Sequence, residues 1–343
     1  MTPAEPLPTS GREIHLARRP TGWPEPSDFR LVEVPVTAPE TGYALVRNAF
    51  LAVEPYMRVR MSDVPSYAPP YEVGAVLDGP AVGVVVASAA AGFAVGDTVL
   101  HQQGWREYST LPEGRGLVVD PGLLPSPSGY LSVLGAPGMT AWVGLTEAGG
   151  LAEGDVVYVS AAAGGVGGLA GQIAKLLGAG RVVGSAGTPA KVRYVTEELG
   201  FDAAFCYRDE PVATGLARVA PDGIDLYFDN VGGDHLEAAI DHLRPHGRVA
   251  MCGAIAQYNA TDWLPGPRNL TQAVTKRLTL RGFLVRDHMA KLAEFAVPML
   301  GWLADGSIRT RETLVDGIEH APEAFIAMMR GAYHGKVVVS LPG

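Results

Sequence analysis

The sequence predicts an α/β protein of two domains, an antiparallel β domain followed by a doubly wound parallel sheet. Three observations support this prediction. The chain of 343 residues is longer than one ordinary core requires, which suits two domains. Short β-rich runs separated by Pro and Gly occupy residues 12–133. From Asp155 onward, apolar strands alternate with amphipathic helices, which is typical of a parallel sheet covered by helices on both faces.

The first domain is predicted from five β-rich runs. In chain order they are Ile14–Ala17, Phe29–Val34, Tyr43–Ala52, Gly79–Ser88 and Asp97–Gln102. Runs of this length and spacing are typical of a small antiparallel, barrel-like domain.

The second domain is predicted from six apolar runs with helical segments between them. The predicted strands are Val156–Ala161, Arg181–Ser185, Ala203–Tyr207, Ile224–Asn230, Gly247–Gly253 and Leu278–Val285. A helix is expected over Met289–Leu303, and the segment TRETLVDGIEHAPEAFIAMMRG predicts one more. The closing GKVVVSL predicts a last strand.

Charge and composition exclude several classes of protein. The formal net charge is −9 and Lys and Arg form no long run, which disfavours nucleic acid and anionic membranes as partners. The two cysteines, Cys206 and Cys252, are too few for a disulfide framework or a cysteine-rich metal site. The opening residues lack the apolar core of a signal peptide, and no apolar stretch reaches the roughly 20 residues of a membrane helix. We therefore expect a cytoplasmic protein.

The sharpest motif is a glycine cluster between a strand and a helix, in DVVYVSAAAGGVGGLAGQIAKLLGA. Ala162, Gly164 and Gly167 match the dinucleotide fingerprint G-x-G-x-x-G, with alanine in the first position. Gly164 and Gly165 would let the backbone approach a pyrophosphate, which the free amides and helix dipole at Val166–Gly168 would attract. The alternative is that the glycines serve turn geometry alone. The alternating strands and helices that follow favour a Rossmann domain that binds a dinucleotide.

The residues after the second strand indicate which dinucleotide binds. An NAD enzyme typically has Asp or Glu there to accept from the ribose hydroxyls, whereas this chain reads VGSAGTPAK from Val183 to Lys191. The missing acid removes repulsion against a 2′-phosphate, and Lys191 supplies a cation, with Arg193 and Arg208 as possible helpers. The alternative is that Lys191 is a solvated helix residue. The sequence favours NADP(H).

No convincing metal site can be recognised. A zinc dehydrogenase needs a cysteine, a histidine and a carboxylate around the metal, and no such set is apparent. Only His242 and His246 stand at H-x-x-x-H spacing, and Pro245 should end any helix that could place both rings on one face. Neither a G-x-S-x-G elbow nor a Walker loop occurs, so hydrolase and phosphoryl-transfer readings lack support.

A series of segments spread over nearly the whole chain resembles one family. In order they are RPTGWPEPSDFRLVEVPV, RNAFLAVEPYMRVRM, GWREY, GAPGMTAWVGL, AAAGGVGG, SAGTPAKV, YFDNVGG, CGAIAQYN and GFLV. They resemble the zinc-free medium-chain dehydrogenase/reductases, in particular the leukotriene B4 dehydrogenase/prostaglandin reductase group with its bacterial curcumin-type reductases. The resemblance implies a GroES-like β-barrel catalytic domain over residues 1–133 and 309–343, a Rossmann domain over residues 134–308, and a homodimer formed through the Rossmann sheets.

The same resemblance assigns cofactor contacts. It places Gly165–Gly168 on the pyrophosphate, Lys191 and Tyr207 at the adenosine 2′-phosphate, and Asn230 near the ribose. Gly187 is predicted as a further cofactor-binding residue. The nicotinamide side would be lined by Met139, Thr140, Cys252, Gly253, Ala254, Ile255, Tyr258, Phe283, Leu284 and Val285. Tyr333 occupies a cofactor-contact position at which family members commonly carry Asn.

The reaction implied by the resemblance is NADPH-dependent reduction of the carbon–carbon double bond of an α,β-unsaturated ketone or aldehyde, without metal. Hydride would add to the β-carbon, and the negative charge that develops on the carbonyl oxygen needs a hydrogen-bond donor. Tyr258, taken as an unperturbed phenol of pKa about 10 and aided by a cofactor ribose hydroxyl, is the first candidate, and Tyr56 is the second. For each tyrosine the alternative is a packing role.

Two rival functions stay open at this stage. One is a quinone oxidoreductase or a zinc-independent alcohol dehydrogenase on the same fold, because a fold does not fix chemistry. The other is a non-catalytic NADPH-binding protein. The small-molecule substrate depends on loops at Ser62–Tyr71 and Gln257–Arg268, whose conformations the sequence does not specify.

Overall fold

The computed structural model describes residues 7–262 and 264–342. Residues 1–6 and Gly343, which belong to the predicted barrel domain, lie outside the described residues, as does Trp263. The chain divides into two compact units. Of the described residues, the first unit comprises 7–131, 313–332 and 337–342, and the second comprises 132–262, 264–312 and 333–336.

The first unit is an antiparallel β domain built around the long strand Tyr43–Val53. This strand pairs antiparallel with Ala81–Ser88, Tyr108–Pro112 and Lys336–Ser340. The other strands of the same sheet are Thr98–His101, Leu117–Val119 and Glu312–Asp316, and a separate pair is formed by Ser10–Leu16 and Phe29–Pro35. Its helices are Tyr56–Arg60 and Ala321–Met329, with 3₁₀ turns at Pro26–Asp28, Pro127–Leu131 and Ile318–His320.

An aromatic cluster fills the core of the first unit. Trp105 is fully buried, stacks on Phe29 at 6.3 Å and meets Phe325 edge-on at 6.2 Å between ring centroids. Its indole N–H donates to the carbonyl oxygen of Ala52 at 3.2 Å, so its one polar atom is satisfied. Because Phe325 lies on the helix Ala321–Met329, residues near the end of the chain complete a core that begins near its start.

The second unit contains a six-stranded parallel sheet with the Rossmann strand order. Across the sheet the strands are Ala203–Cys206, Arg181–Ala186, Val156–Val159, Ile224–Asp229, Leu243–Met251 and Thr279–Gly282. Every pairing between these neighbours is parallel. The order reverses between Val156–Val159 and Ile224–Asp229, and doubly wound folds bind their ligands at the carboxyl edge of such a switch point.

Helices flank this parallel sheet. They are Ala136–Val143, Gly165–Leu176, Pro189–Arg193, Val212–Val219, Gly233–His242, Gln272–Thr275 and Leu292–Ala304, with π-helical turns at Gly144–Ala148 and Tyr194–Glu198 and 3₁₀ turns at Ile255–Gln257 and Val285–Lys291. The helix Gly165–Leu176 approaches its neighbours closely, since a Cβ on Gly171 would lie 1.9 Å from the ring of Phe201. No helix among the described residues has both the length and the apolar character needed to cross a membrane.

The predicted fold class is confirmed, while several strand predictions need correction. Tyr108–Pro112, Leu117–Val119 and Glu312–Asp316 are strands that the sequence analysis missed. The third of these lies in the segment expected to contribute only a helix, and Gly317, at φ +86°, separates it from the helix that follows. The predicted strand Leu278–Val285 is shorter, because Thr279–Gly282 is followed by the 3₁₀ turn Val285–Lys291.

Candidate cofactor site and active site

The glycine turn after Val156–Val159 is shaped for close backbone approach. Gly164 is the N-cap of the helix Gly165–Leu176, and none of the described side chains caps this helix end. A Cβ on Gly167 would lie 2.3 Å from the carbonyl oxygen of Ala161, so glycine is required where the helix packs on the turn. The uncapped amides and the positive end of the helix dipole make this an anion cradle that fits a pyrophosphate.

The alanine that replaces the first fingerprint glycine has a complementary neighbour. Ala162 is fully buried, and its methyl group lies 2.7 Å from the position that a Cβ on Gly184 would take. Gly184 belongs to the adjacent strand Arg181–Ala186 and leaves the space that the methyl group fills. The left-handed residue of the turn is Ala161, at φ +50°, so Ala162 needs no special backbone conformation.

A second group of candidate cofactor residues follows the strand Arg181–Ala186. Thr188 caps the next helix by accepting the backbone N–H of Lys191 at 3.2 Å, which fixes the start of the helix that carries this lysine. The hydroxyl of Tyr207 lies 2.9 Å from the position of a Cβ on Gly187, so glycine makes room for the phenol. Burial lowers the pKa of Lys191, and the charge of Arg208 lowers it further. Because Lys191 and Arg208 repel each other, a phosphate dianion bound between them would relieve that repulsion.

Asn230 holds two strand ends together at the switch point. Its side-chain N–H donates to the carbonyl oxygen of Ser160 at 2.8 Å, and its backbone N–H donates to Ser160 Oγ at 3.0 Å. The neighbouring Asp229 is buried and accepts, through Oδ1, the hydroxyl of Tyr227 at 2.7 Å and the backbone N–H groups of Val231 and Gly232.

This buried network was missed by the sequence analysis. Burial raises the pKa of Asp229, and among the described residues its Oδ2 has no hydrogen-bond partner. The only sequence signal is an Asp-Asn pair at the end of a predicted strand. The network fixes the loop after Ile224–Asp229, where the sequence analysis placed the ribose.

Tyr258 follows the strand Leu243–Met251 through the 3₁₀ turn Ile255–Gln257. Its hydroxyl oxygen accepts the backbone N–H of Ala254 at 3.4 Å, an arrangement that leaves the hydroxyl proton for another acceptor. The side chain is half-buried, and burial raises its pKa. The expectation of an unperturbed pKa is therefore wrong, and the raised pKa holds the phenol more firmly as a neutral donor.

The backbone before Tyr258 is tied to the switch-point loop. Cys252 and Gly253 donate their backbone N–H groups to the carbonyl oxygen of Asp229 at 2.8 and 3.0 Å, and Ile255 donates to that of Asn230 at 3.3 Å. Burial raises the pKa of the Cys252 thiol to about 12, so it stays protonated at neutral pH. These bonds bring residues 252–258 beside Asn230.

The remaining residues of the predicted nicotinamide wall lie on two further segments. Phe283 meets Phe228 edge-on at 6.3 Å, and its ring lies 2.7 Å from the position of a Cβ on Gly144. Gly144 directly follows the helix Ala136–Val143, which carries the buried Met139 and the half-buried Thr140. Leu284 and Val285 are half-buried at the start of the 3₁₀ turn. Phe283 therefore lies at the C-terminal end of the helix that carries Met139 and Thr140.

The segment Tyr333–Lys336 belongs to the second unit. Gly335 donates its backbone N–H to the carbonyl oxygen of Ala163 at 2.8 Å and forms a parallel bridge with Gly164. Its φ is +66°, and a Cβ there would lie 1.9 Å from the carbonyl oxygen of Arg311. The half-buried Tyr333 is thereby placed two residues from a direct contact with the glycine turn.

Tyr56, in the first unit, begins the helix Tyr56–Arg60 among titratable neighbours. Arg60 pairs with Asp78 and lies 3.9 Å from the centroid of the Tyr71 ring, whose hydroxyl donates to the carbonyl oxygen of Asp78 at 2.6 Å. Burial and the charge of Glu54 raise the pKa of Tyr56, so its hydroxyl is also a neutral donor. Tyr71 and Arg60 were not singled out from the sequence.

Metal ligands do not assemble in the part of the chain that the structure describes. Within residues 7–262 and 264–342, no group of three or more His, Cys, Asp or Glu side chains could hold an ion. The helix Gly233–His242 ends at His242, and Pro245 lies in the strand that follows, so the two histidines of the H-x-x-x-H spacing do not share a helix.

The Rossmann strand order, the glycine turn and the neighbouring cations Lys191 and Arg208 are those of a dinucleotide-binding dehydrogenase or reductase, here with an additional antiparallel domain. Two family models match the chain, an N-terminal domain of oxidoreductase over residues 12–119 and a zinc-binding dehydrogenase domain over residues 165–302. The chain belongs to the zinc-free medium-chain dehydrogenase/reductases, in the group of the curcumin and prostaglandin reductases.

Similar proteins cover nearly the whole chain. The NADPH-dependent curcumin reductase of Escherichia coli is 42% identical over 96% of this chain and 96% of its own length. The NADP-dependent 2-alkenal reductase of Nicotiana tabacum is 37% identical over 96% of this chain and 97% of its own. The crystal structure of CurA from Vibrio vulnificus in complex with NADPH is 42% identical, covers 97% of this chain and 99% of its own, and superposes with a TM-score of 0.92.

Proposed function

We propose that this protein reduces the carbon–carbon double bond of α,β-unsaturated ketones and aldehydes, with hydride delivered to the β-carbon and without a metal. The coarser assignment is that the protein is an NADP-dependent oxidoreductase acting on carbon–carbon double bonds. The observation that carries the finer proposal is the neutral phenol of Tyr258, whose hydroxyl proton is not used by the Ala254 contact.

The cofactor is NADP(H). We propose which residues of this chain bind it. We assign Gly164–Gly168 to the pyrophosphate, Gly187, Lys191 and Tyr207 to the adenosine 2′-phosphate, and Asn230 to the ribose. The nicotinamide side is assigned to Met139, Thr140, Cys252–Ile255, Tyr258 and Phe283–Val285, and Tyr333 to the edge of the glycine turn. When bound, NADPH supplies the hydride.

Tyr258 is assigned the task of stabilising the oxyanion. As the β-carbon is reduced, charge moves to the carbonyl oxygen, and a preorganised O–H donor lowers the energy of that state more than that of the ground state. A phenol with a raised pKa keeps its proton while it donates, so the α-carbon takes its proton from water. Tyr56 is the second candidate for the same task, because burial also keeps its phenol neutral.

The direct test follows the hydride. The enzyme is supplied with an enone and with NADPH that carries deuterium at C4 of the nicotinamide on either face, and the product is examined by NMR. Deuterium at the β-carbon from one of the two labelled faces, with a solvent proton at the α-carbon, is the expected result. Deuterium on the carbonyl carbon would contradict the proposal, because it would show that the enzyme reduces the carbonyl group as an alcohol dehydrogenase does.

A substrate panel separates the rival functions. Steady-state rates are compared for a medium-chain enone, an enal and a quinone, each with NADPH, and for a secondary alcohol with NADP⁺. The enone and enal should have the largest kcat/KM. A larger value for the quinone would make the protein a quinone oxidoreductase, and tight NADPH binding without turnover of any compound would make it a cofactor-binding protein.

We also propose a cytoplasmic homodimer, with the catalytic domain over residues 1–133 and 309–343 and the Rossmann domain over residues 134–308. The strand Thr279–Gly282 supports the dimer, because it is the edge of the parallel sheet and is largely exposed. Light scattering after gel filtration should give twice the mass of one chain. Thr279→Pro, which removes a backbone donor from this edge, should shift the population to monomer.

A further inference from the structure

We propose that His334 is a phosphate-contacting residue of the NADP(H) site, and that it takes up a proton when the adenosine 2′-phosphate binds. This inference rests on the cofactor assignment made under the proposed function. It adds a residue and a pH dependence to that site. Its consequence is that affinity for NADPH, but not for NADH, rises as the pH falls through neutrality.

The backbone places residue 334 next to the glycine turn. Gly335, the next residue, donates its N–H to the carbonyl oxygen of Ala163 and pairs with Gly164 at the pyrophosphate cradle. Gly335 also packs against the carbonyl oxygen of Arg311, where no Cβ would fit, so this segment has little freedom to move away. His334 therefore belongs to the rim of the glycine turn.

The side chain of His334 lies beside the helical segment that carries Lys191, the residue assigned to the 2′-phosphate. Its ring meets the ring of Tyr194 edge-on, with the centroids 5.3 Å apart and the planes at 90°. Tyr194 follows Lys191 by three residues on one continuous helical segment, so the two side chains lie on the same face of it. Packing on Tyr194 thus directs the half-buried imidazole towards the face that carries Lys191.

Positive charge dominates the surroundings of the imidazole. Lys191 acts on it from the helix Pro189–Arg193 and Arg311 from the segment before the strand Glu312–Asp316, where the Arg311 guanidinium lies 5.5 Å from the centroid of the Tyr194 ring. Among the described residues, Glu198 is the acid whose charge acts on it, and Glu198 also approaches Arg311 at 3.9 Å. Burial, Lys191 and Arg311 together lower the pKa of His334, so without an anion the ring is neutral at pH 7.

A bound 2′-phosphate reverses this balance. A dianion beside the imidazole favours its charged form, which raises the pKa of His334 in the complex above that in the free protein. Between those two pKa values, binding takes one proton from solvent onto a ring nitrogen. Affinity for NADPH therefore increases as the pH falls through the pKa of the complex, and it levels off below the pKa of the free protein. NADH has no 2′-phosphate and should show no such change.

The test measures cofactor binding alone. Dissociation constants for NADPH and NADH are determined by calorimetry at pH 6.5 and pH 8.5 for the wild type, for His334→Gln and for His334→Arg. Each titration is repeated in two buffers with different ionisation enthalpies to count the protons taken up. His320→Gln, which changes an exposed histidine of the first unit, is the matched control.

The wild type and the His320→Gln control should bind NADPH about fivefold to tenfold more tightly at pH 6.5 than at pH 8.5, with proton uptake, since one pKa unit corresponds to a factor of ten. His334→Gln should show neither the proton uptake on binding nor the increase in NADPH affinity at the lower pH. The affinity of this variant for NADPH should even decrease slightly towards pH 6.5, because the phosphate begins to protonate near its second pKa of about 6. His334→Arg, which is permanently charged, should bind NADPH tightly at both values.

Two results would overturn the inference. Equal pH dependence in the wild type and His334→Gln would make the imidazole a packing residue beside Tyr194. Equal effects of pH and of the substitution on the dissociation constants of NADPH and NADH would show that His334 does not contact the 2′-phosphate. Neither result bears on double-bond reduction, and failure to reduce any enone with pH-dependent NADPH binding intact would overturn the proposed function alone.

Discussion

The imidazole of His235 meets the ring of Tyr207 edge-on, with the centroids 5.1 Å apart. His235 is 6% exposed, and its Nε2 has no hydrogen-bond partner among the described residues. Burial lowers its pKa to about 4, so it is a neutral ring at physiological pH. Because Tyr207 borders Gly187 and both are proposed to contact the 2′-phosphate, we assign His235 as a positioning residue for Tyr207.

This relationship predicts opposite outcomes for two substitutions. His235→Phe keeps a ring under Tyr207 and removes an unpaired buried nitrogen, so the free energy of unfolding should be unchanged or higher by about 1 kcal/mol, with NADPH affinity preserved. His235→Ala leaves a cavity, which should destabilise the protein by about 2 kcal/mol or more and weaken NADPH binding severalfold. Denaturant unfolding and cofactor titration measure both effects. Full NADPH affinity in His235→Ala would mean that Tyr207 needs no support.

The buried histidines predict that stability falls in mild acid. The backbone N–H of Gln103 donates to Nδ1 of His101, whose Nε2 then donates to Asn48 at 2.9 Å, and burial lowers the pKa of this ring to about 3. An unfolded histidine has a pKa of about 6.5, so below that pH the unfolded chain binds protons that the folded chain does not. Above pH 6.5 the free energy of unfolding should not depend on these histidines. Between pH 6.5 and pH 4 it should fall by up to about 1.4 kcal/mol per pH unit for each such histidine.

The measurement is urea unfolding at pH 7.5, 6.0 and 5.0. In His235→Phe the free energy of unfolding should fall less steeply with pH than in the wild type. The variant lacks the histidine that, between pH 6.5 and pH 4, binds a proton in the unfolded state but not in the folded state. Identical slopes would show that His235 does not titrate differently in the two states.

Lys191→Ala should change cofactor choice. Losing one charged hydrogen bond costs about 1.5 to 3 kcal/mol, so the KM for NADPH should rise about tenfold or more while that for NADH barely changes. Lys175→Ala is the matched control, since this lysine forms an exposed pair with Asp202 that contributes little. An equal rise in both KM values would reject the 2′-phosphate assignment.

Tyr258→Phe should slow the chemical step. If its hydroxyl stabilises the developing enolate, the single-turnover rate of enone reduction should fall on the order of 10²-fold, while NADPH binding changes little. Tyr56→Phe tests the second donor in the same assay, and Tyr43→Phe, at an exposed tyrosine, is the control. A wild-type single-turnover rate for Tyr258→Phe would make it a packing residue and leave Tyr56 as the candidate.

Chelation should leave activity intact. The described residues bring no three metal ligands together, so dialysis against EDTA and preparation in metal-free buffer should not change the rate of enone reduction. Metal analysis of the active sample provides the control. Activity that is lost in EDTA and restored by zinc would contradict the metal-free proposal.

The sequence predicted those features that depend on local patterns. The glycine turn at Gly164–Gly168 and the strands of the parallel sheet are specified by runs of neighbouring residues, and the structure confirms the fold class they indicate. The strand Glu312–Asp316 was not predicted, because five residues carry little periodicity and its place is set by the distant partner Lys336–Ser340. Gly184 and Ala162 likewise became a complementary pair only when the two strands were adjacent.

The candidate site was predicted as separate residues, without the contacts between them. Asp229 and Ser160 fix the loop at Asn230 through buried hydrogen bonds, and burial of this kind is a property of the folded chain. The raised pKa of Tyr258 has the same origin, since desolvation depends on which groups surround a side chain. His334 had no motif to mark it.

The pairing of Gly335 with Gly164 also bears on the order of folding. These two residues are far apart in the sequence, and closing so long a loop costs conformational entropy before the contact forms. Val337 pairs with Val53 over a still longer separation in the sheet of the first unit. We therefore expect both pairings to form late, so that substitutions at Gly335 speed unfolding more than they slow folding.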